Sequence, residues 1–382
     1  MKNKVKAIAA TLSVCAILFG LSSFQAEAEL PLADAAALRS AYAQNPENWP
    51  APQVDSGIAF AEIAVMPKTF TKEQRDSLKH IIKLGRILFH DPRLSGSNQI
   101  SCGSCHVPDI NWTDGRGFAK GHDHQVVTRN TPTIENISNN GAYFWDGRAN
   151  SLEAQVPHSI ANPLEMNQDL KTLPKKLTKI KGYLPLFDTA FGTKKISVDL
   201  IASAIATYER SIVTRKSDFD LFMEGKHDKM SDDAIRGMHL FRTKARCVNC
   251  HNGPAFTDNQ FHNVGLTYYQ RDEYEDLGRY AITQKNEDVG KFKTPTLRNV
   301  MYTGPWFHNG LFANIDGVLN MYNAGMPEVK RKPEQMDDPK FPVKSAHLKE
   351  LQLTKEERDY LVAFLWSISI KSLREEQPEL PK

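Results

Sequence analysis

The chain has 382 residues, with 48 lysines and arginines against 45 aspartates and glutamates, a formal net charge of +3. That near balance argues against nucleic acid as a partner. The length suggests two domains rather than one.

Lys2, Lys4 and Lys6 form a positive start, Ala7 to Phe24 is apolar, and Ala26-Glu27-Ala28 supplies small residues at the spacing of a cleavage site. Residues 1–28 are therefore predicted to be a cleaved export leader; an uncleaved anchor is the alternative, because about 18 apolar residues is near the lower limit for crossing a bilayer. Cleavage removes three lysines and Glu27, taking the charge from +3 to +1, and removes Cys15. No later stretch is long and apolar enough to span a membrane, so the expected location is the periplasm.

Residues 29–68 form a Pro- and Ala-rich lead-in. A capping box, Thr71-x-x-Gln74, opens a helix that places Leu78, Ile81, Ile82 and Leu88 on one face. Gly85-Arg86-Ile87-Leu88-Phe89 closes it ahead of Cys102-Gly103-Ser104-Cys105-His106. The same pattern returns as Gly237-Met238-His239-Leu240-Phe241 ahead of Cys247-Val248-Asn249-Cys250-His251. Two related units in tandem follow, 69–225 and 226–382, with the charged run Glu224 to Lys229 as their junction. Ser197 caps a helix through Val213, and Thr354-x-x-Glu357 caps a last one through Trp366.

In a C-x-x-C-H turn both thiols and the histidine project to one side, so the thiols can form thioethers to haem vinyl groups while the histidine meets the iron. A zinc site would have to join cysteine pairs 142 residues apart and leave His106 and His251 idle. A redox dithiol has no need of the histidine twice. The expected cofactors are two haem c groups, attached at Cys102, Cys105 and His106 and at Cys247, Cys250 and His251. Without alternating strand patterns, the fold class is mostly α, two tandem cytochrome c-like haem domains with long loops.

The residues around these motifs resemble the bacterial di-haem cytochrome c peroxidase and MauG family from about residue 70 to 370. The resemblance rests on Phe144-Trp145-Asp146-Gly147-Arg148, Asn162-Pro163-Leu164-Glu165-Met166, Thr294-Pro295-Thr296-Leu297-Arg298-Asn299 and Phe307-His308-Asn309-Gly310. The lead-in Asn48-Trp49-Pro50-Ala51-Pro52 is also similar to that of one peroxidase subgroup. It implies that Glu165 and Gln155 are an acid–base pair above the first haem. A carboxylate there moves a proton between the peroxide oxygens before the O–O bond breaks, and an amide orients the peroxide. Taken alone, Glu165 reads as a surface or capping carboxylate.

The resemblance further implies that His122, sixteen residues after His106 in a loop with Gly115, Gly117 and Gly121, is a removable distal ligand of the first iron. Neighbouring His124 competes for that role, and a solvated loop histidine is the plain alternative. Trp145 matches a tryptophan between the haems, with core packing as its alternative. The Asn130 side chain and the Thr303 and Pro305 carbonyls match a calcium site between the domains. The second iron's remaining ligand is methionine in the peroxidases and tyrosine in MauG. Counting without a gap places Tyr322 there, and a one-residue slip places Met321.

Two positions depart from the pattern. Ser159 stands where the family has proline, with Pro157 two residues earlier, which puts the shape of the distal pocket in doubt. Ala245 stands where MauG has a tryptophan used for remote oxidation. The leading expectation is a periplasmic peroxidase reducing hydrogen peroxide to water, its electrons coming from a small cytochrome c or cupredoxin docking near His251. A MauG-type oxidase of a protein side chain, acting through high-valent iron, and a non-enzymatic electron carrier are the alternatives. The resemblance also makes a homodimer an expectation.

Overall fold

Eleven helices and one pair of two-residue strands are built from the described residues, 31–271 and 273–382, of a computed structural model. The expected leader, residues 1–28, lies outside the described residues. The helices are α1 (Ala35–Tyr42), α2 (Lys72–His90), α3 (Leu152–Ala161), α4 (Leu173–Thr178), α5 (Tyr183–Phe191) and α6 (Val198–Ser211). They continue as α7 (Asp218–Met223), α8 (Asp232–Arg242), α9 (Tyr280–Thr283), α10 (Ile315–Asn323) and α11 (Lys355–Ser367). The strands, β1 (Phe261–His262) and β2 (Phe292–Lys293), pair antiparallel. No described helix is long and apolar enough to cross a membrane.

The repeated G-x-x-L-F pattern marks a helix crossing. A Cβ on Gly85 would fall 1.9 Å from the Ala204 carbonyl oxygen of α6, and one on Gly237 would fall 1.9 Å from the Tyr360 carbonyl oxygen of α11. Only glycine lets the α2–α6 and α8–α11 backbones approach so closely. The following Leu88, Phe89, Leu240 and Phe241 are buried in the two cores that these pairs enclose.

The duplication extends further than the C-x-x-C-H motifs. Phe144-Trp145-Asp146-Gly147 and Phe307-His308-Asn309-Gly310 form the same turn, closed by Tyr143–Ala149 and Trp306–Phe312 bridges. Phe144 and Phe307 both take positive φ, 66° and 65°. Each turn feeds a helix, α3 capped by Ser151 and α10 capped by Asn314. Ser159 and Tyr322, each eight residues past its cap, hold equivalent places.

The ends of the described chain cross over. Leu38, Tyr42, Trp49 and Ile63 of the lead-in are buried with Met238, Phe241 and Phe364 in the second core. Conversely, residues 370–382 return to the first domain. There Arg93 donates to Pro381 O at 2.9 Å, Gly182 N to Lys382 O at 2.8 Å, and Leu380 packs on the first core. The expected boundary at 225/226 also moves. α7 precedes it, yet Phe219 and Phe222 lie in the second core and Asp220 pairs with buried Arg298 at 2.8 Å. The charged run that suggested a junction is a surface turn after α7, and charge alone did not separate a turn from a linker.

Candidate active site

Both C-x-x-C-H turns open onto one continuous cavity of about 1010 Å³. Each is a single 3₁₀ turn, Cys102–Ser104 and Cys247–Asn249, and all four cysteines and both histidines line the cavity. His106 Nδ1 lies 3.0 Å from Trp112 O and His251 Nδ1 lies 3.0 Å from Phe256 O. A carbonyl only accepts, so each Nδ1 carries the proton and each Nε2 keeps its lone pair for a metal. Burial lowers both histidine pKa values, which keeps the rings neutral. Burial also pushes the Cys105, Cys247 and Cys250 thiols up to about 12. Metal binding by these sulfurs would need thiolates, whereas thioether formation consumes them. Ligand atoms of Cys250, Asp258 and His262 do lie within 4.8 Å of one another, but Cys250 belongs to the second C-x-x-C-H and His262 is engaged by Asp258 at 2.8 Å. These donor sets fit two haem c groups.

Over the first turn, α3 and the segment after it bring Gln155 and Glu165 to the cavity wall. Glu165 accepts from Asn162 Nδ2 at 2.7 Å and faces Arg148 at 3.9 Å. Burial raises its pKa, while hydrogen bonds from Ser159 and Asn162 and the charge of Arg148 oppose the rise. Gln155 Nε2 donates to Ser159 Oγ at 3.0 Å. Gln155 and Ser159 stand one helical turn apart on the same face, so the Ser159 departure joins the expected pair.

His122 does not reach this wall. Its Nε2 lies 3.2 Å from Asp123 Oδ2, and Ala119 and Gly121 of that loop line the cavity while His122 does not. Close contact explains the glycine, since a Cβ there would meet Leu164 O at 1.9 Å. His124 is exposed. The loop is nonetheless tied to the acid–base segment, because His122 N donates to Glu165 O at 2.7 Å.

Between the two turns, the Trp145 and His308 rings lie 6.4 Å apart, edge to face, and both line the cavity. Trp145 Nε1 donates to Asn130 O at 2.9 Å, and Phe292 stacks on His308 at 3.5 Å. His308 is the counterpart of Trp145 in the duplicated turn; its Nδ1 is buried without a partner, and burial lowers its pKa to about 3. Asn130 N donates to His308 O at 2.7 Å and its Nδ2 to Arg116 O at 2.7 Å, so this buried residue is held where the domains meet. Thr303 and Pro305 line the same cavity.

At the second turn, Tyr322 lines the cavity and Met321 and Met326 do not. Its ring lies 6.1 Å from that of Phe307, and burial raises the phenol pKa. Ala245 also lines the cavity. Glu209 of α6 carries no signal in the sequence. It is 5% exposed, lines the cavity, and its Oε2 has no partner. Counting from the helix crossings, its counterpart in α11 is Leu365, so a carboxyl beside the first site replaces an apolar wall beside the second.

The family model described as di-haem cytochrome c peroxidase matches residues 79–228. The methylamine utilization protein MauG of Methylorubrum extorquens is 36% identical over 303 residues, covering 78% of this chain and 81% of that protein. The cytochrome c551 peroxidase of Nitrosomonas europaea is 37% identical over 265 residues, 69% of this chain and 78% of that protein. Among solved structures, a MauG-like protein associated with microbial copper homeostasis aligns with a TM-score of 0.69 at 26% identity, covering 82% of this chain and 95% of that one.

Proposed function

Since the chain belongs to the di-haem cytochrome c peroxidase family, to which the MauG proteins are related, we propose that it reduces hydrogen peroxide to water at the Cys102–His106 site. Electrons enter through the Cys247–His251 site. The observation that carries this reading is the placing of Glu165 and Gln155 together on the cavity wall beside the first C-x-x-C-H turn. An electron carrier has no use for an acid–base pair there.

Cys102, Cys105 and His106 would hold a haem, which would supply the redox-active iron for peroxide reduction. Glu165 takes the proton from one peroxide oxygen and returns it to the other as the O–O bond breaks. Gln155 orients the peroxide, and Asn162 holds the carboxylate in place. One peroxide, two electrons and two protons give two waters. Trp145 and His308 supply an aromatic path between the sites. In the same reading Asn130, Thr303 and Pro305 would hold a calcium ion between the domains, and His122, which lies off the cavity wall beside Asp123, would have to move to act as a ligand. The donor is a small cytochrome c or cupredoxin in the periplasm, docking near His251, and two copies of the chain pair as a homodimer.

A second reading, a MauG-type oxidase of a protein side chain, is favoured by Tyr322, since a phenolate on the second iron favours higher oxidation states. Ala245 weighs against it, because the tryptophan that serves remote oxidation is missing. Steady-state peroxide turnover with a reduced small cytochrome c separates the two. Turnover is expected, and Glu165→Gln is expected to lower it by about 10²–10⁴-fold, the usual contribution of a positioned acid–base group. Turnover that survives Glu165→Gln overturns the role of Glu165. No turnover, with peroxide-driven oxidation of a partner protein, supports the second reading.

A further inference from the structure

We propose that Ser159 is a positioning residue that binds the Gln155 amide and the Glu165 carboxylate into one directed hydrogen-bond chain. The inference rests on the peroxide-reducing reading of this site. Ser159 and Glu165 share the cavity wall and are hydrogen-bonded to each other; to take a proton from peroxide Glu165 must be ionised, and an ionised carboxylate only accepts, so the single Ser159 hydroxyl proton goes to Glu165. Ser159 Oγ is then left to accept, and what reaches it from Gln155 at 3.0 Å must be the NH₂ end of the amide. Ionised Glu165 therefore dictates, through Ser159, which end of Gln155 is held at the helix and which remains for a ligand. Neither Gln155 nor Glu165 achieves this alone, and Asn162 and Arg148 hold the carboxylate without touching the amide.

Proline at this position has no hydroxyl and cannot make the link. α3 carries its proline two residues earlier, at Pro157, so Ser159 keeps a normal helical place one turn past Gln155. Alanine in its place would leave Gln155 free to turn and remove one of the donors to Glu165.

The test uses the full-length, haem-loaded protein and the variants Ser159→Ala, Ser159→Thr, Glu165→Gln and the Ser159→Ala/Glu165→Gln double variant. Ser159→Ala is expected to lower kcat/KM for peroxide about ten- to hundredfold, as befits a lost hydrogen bond to a charged group. Ser159→Thr, which keeps the hydroxyl, is expected to recover most of it. In the Glu165→Gln background Ser159→Ala is expected to add almost nothing, because its effect passes through Glu165. Additive losses, or no rescue by threonine, overturn the proposal. If the unmodified protein turns over peroxide and Glu165→Gln is without effect, the reading of Glu165 has failed instead. Independently of turnover, the Glu165 carboxyl infrared band, identified by its loss in Glu165→Gln, is expected to shift in Ser159→Ala. An unshifted band overturns the link even in a protein without peroxidase activity.

Discussion

Replacing Glu209 by glutamine is expected to remove a pH-dependent loss of stability that the natural residue imposes. Glu209 is 5% exposed, its Oε2 lacks a partner, and neighbouring Arg210 is engaged by Glu153 at 2.6 Å. Burial raises the Glu209 pKa from 4.5 to about 8, with Arg210 opposing and Glu153 reinforcing the rise. The folded protein therefore keeps this proton where the unfolded chain has released it. The unfolded state binds fewer protons over that interval, so stability falls as pH rises from about 4.5 to about 8. At 1.36 kcal/mol per pKa unit, the loss reaches roughly 3 kcal/mol at pH 7. Tyr143 and Tyr208 also sense this charge, and Cys102 no longer titrates once it carries haem. The assay is thermal unfolding of the haem-loaded protein and of Glu209→Gln between pH 5 and 8. Comparing the two cancels the other titrating groups, including buried His90. The midpoints should coincide near pH 5 and separate on the order of 5 °C by pH 7, the variant being higher. A difference that stays flat across this range refutes the reasoning.

Other perturbations probe other parts of the molecule. Gly237→Ala drives a methyl to 1.9 Å from Tyr360 O and should cost about 1–3 kcal/mol in denaturant unfolding; a neutral result means the α8–α11 crossing yields easily. Arg298→Met strands buried Asp220 and should cost about 3–5 kcal/mol by the same measurement, and a loss below about 1 kcal/mol contradicts the pairing. Tyr322→Met should raise one of the two haem potentials in a potentiometric titration; if neither moves, Tyr322 is not an iron ligand. His122→Ala should leave peroxide turnover by the fully oxidised protein unchanged, because the ring lies off the cavity, and a marked change would place it on the iron during the reaction.

Features with a local signature were legible in the sequence. The capping boxes at Thr71 and Thr354 form as the side-chain spacing requires, and the C-x-x-C-H turns are short-range geometry. The paired G-x-x-L-F pattern announced a duplication, although its cause, two close helix crossings, needs the partner backbones of α6 and α11 to be in place. Gln155 and Glu165 were singled out only through the resemblance, and both line the cavity; Ser159 showed only as an irregularity, because its proposed role depends on the Glu165 carboxyl arriving from beyond the end of α3. Glu209 was illegible: amphipathic counting assigns a charged residue to the wet face of a helix, and only the cavity makes that position dry. The lead-in read only as a Pro- and Ala-rich segment, and residues 370–382 gave no reading at all, because their partners lie in the opposite domain, some 200 to 300 positions away. His122 shows the converse, a spacing match that the described conformation does not carry to the cavity.

The exchange of ends has a consequence for how the protein folds. Arg93 and Gly182 of the first domain donate hydrogen bonds to Pro381 and Lys382, residues that follow the whole second domain in sequence. Contacts this distant in sequence form late, because closing so long a loop is entropically slow. The strap thus ties the folding of the two domains to each other, since each core holds a stretch of chain from beyond the other.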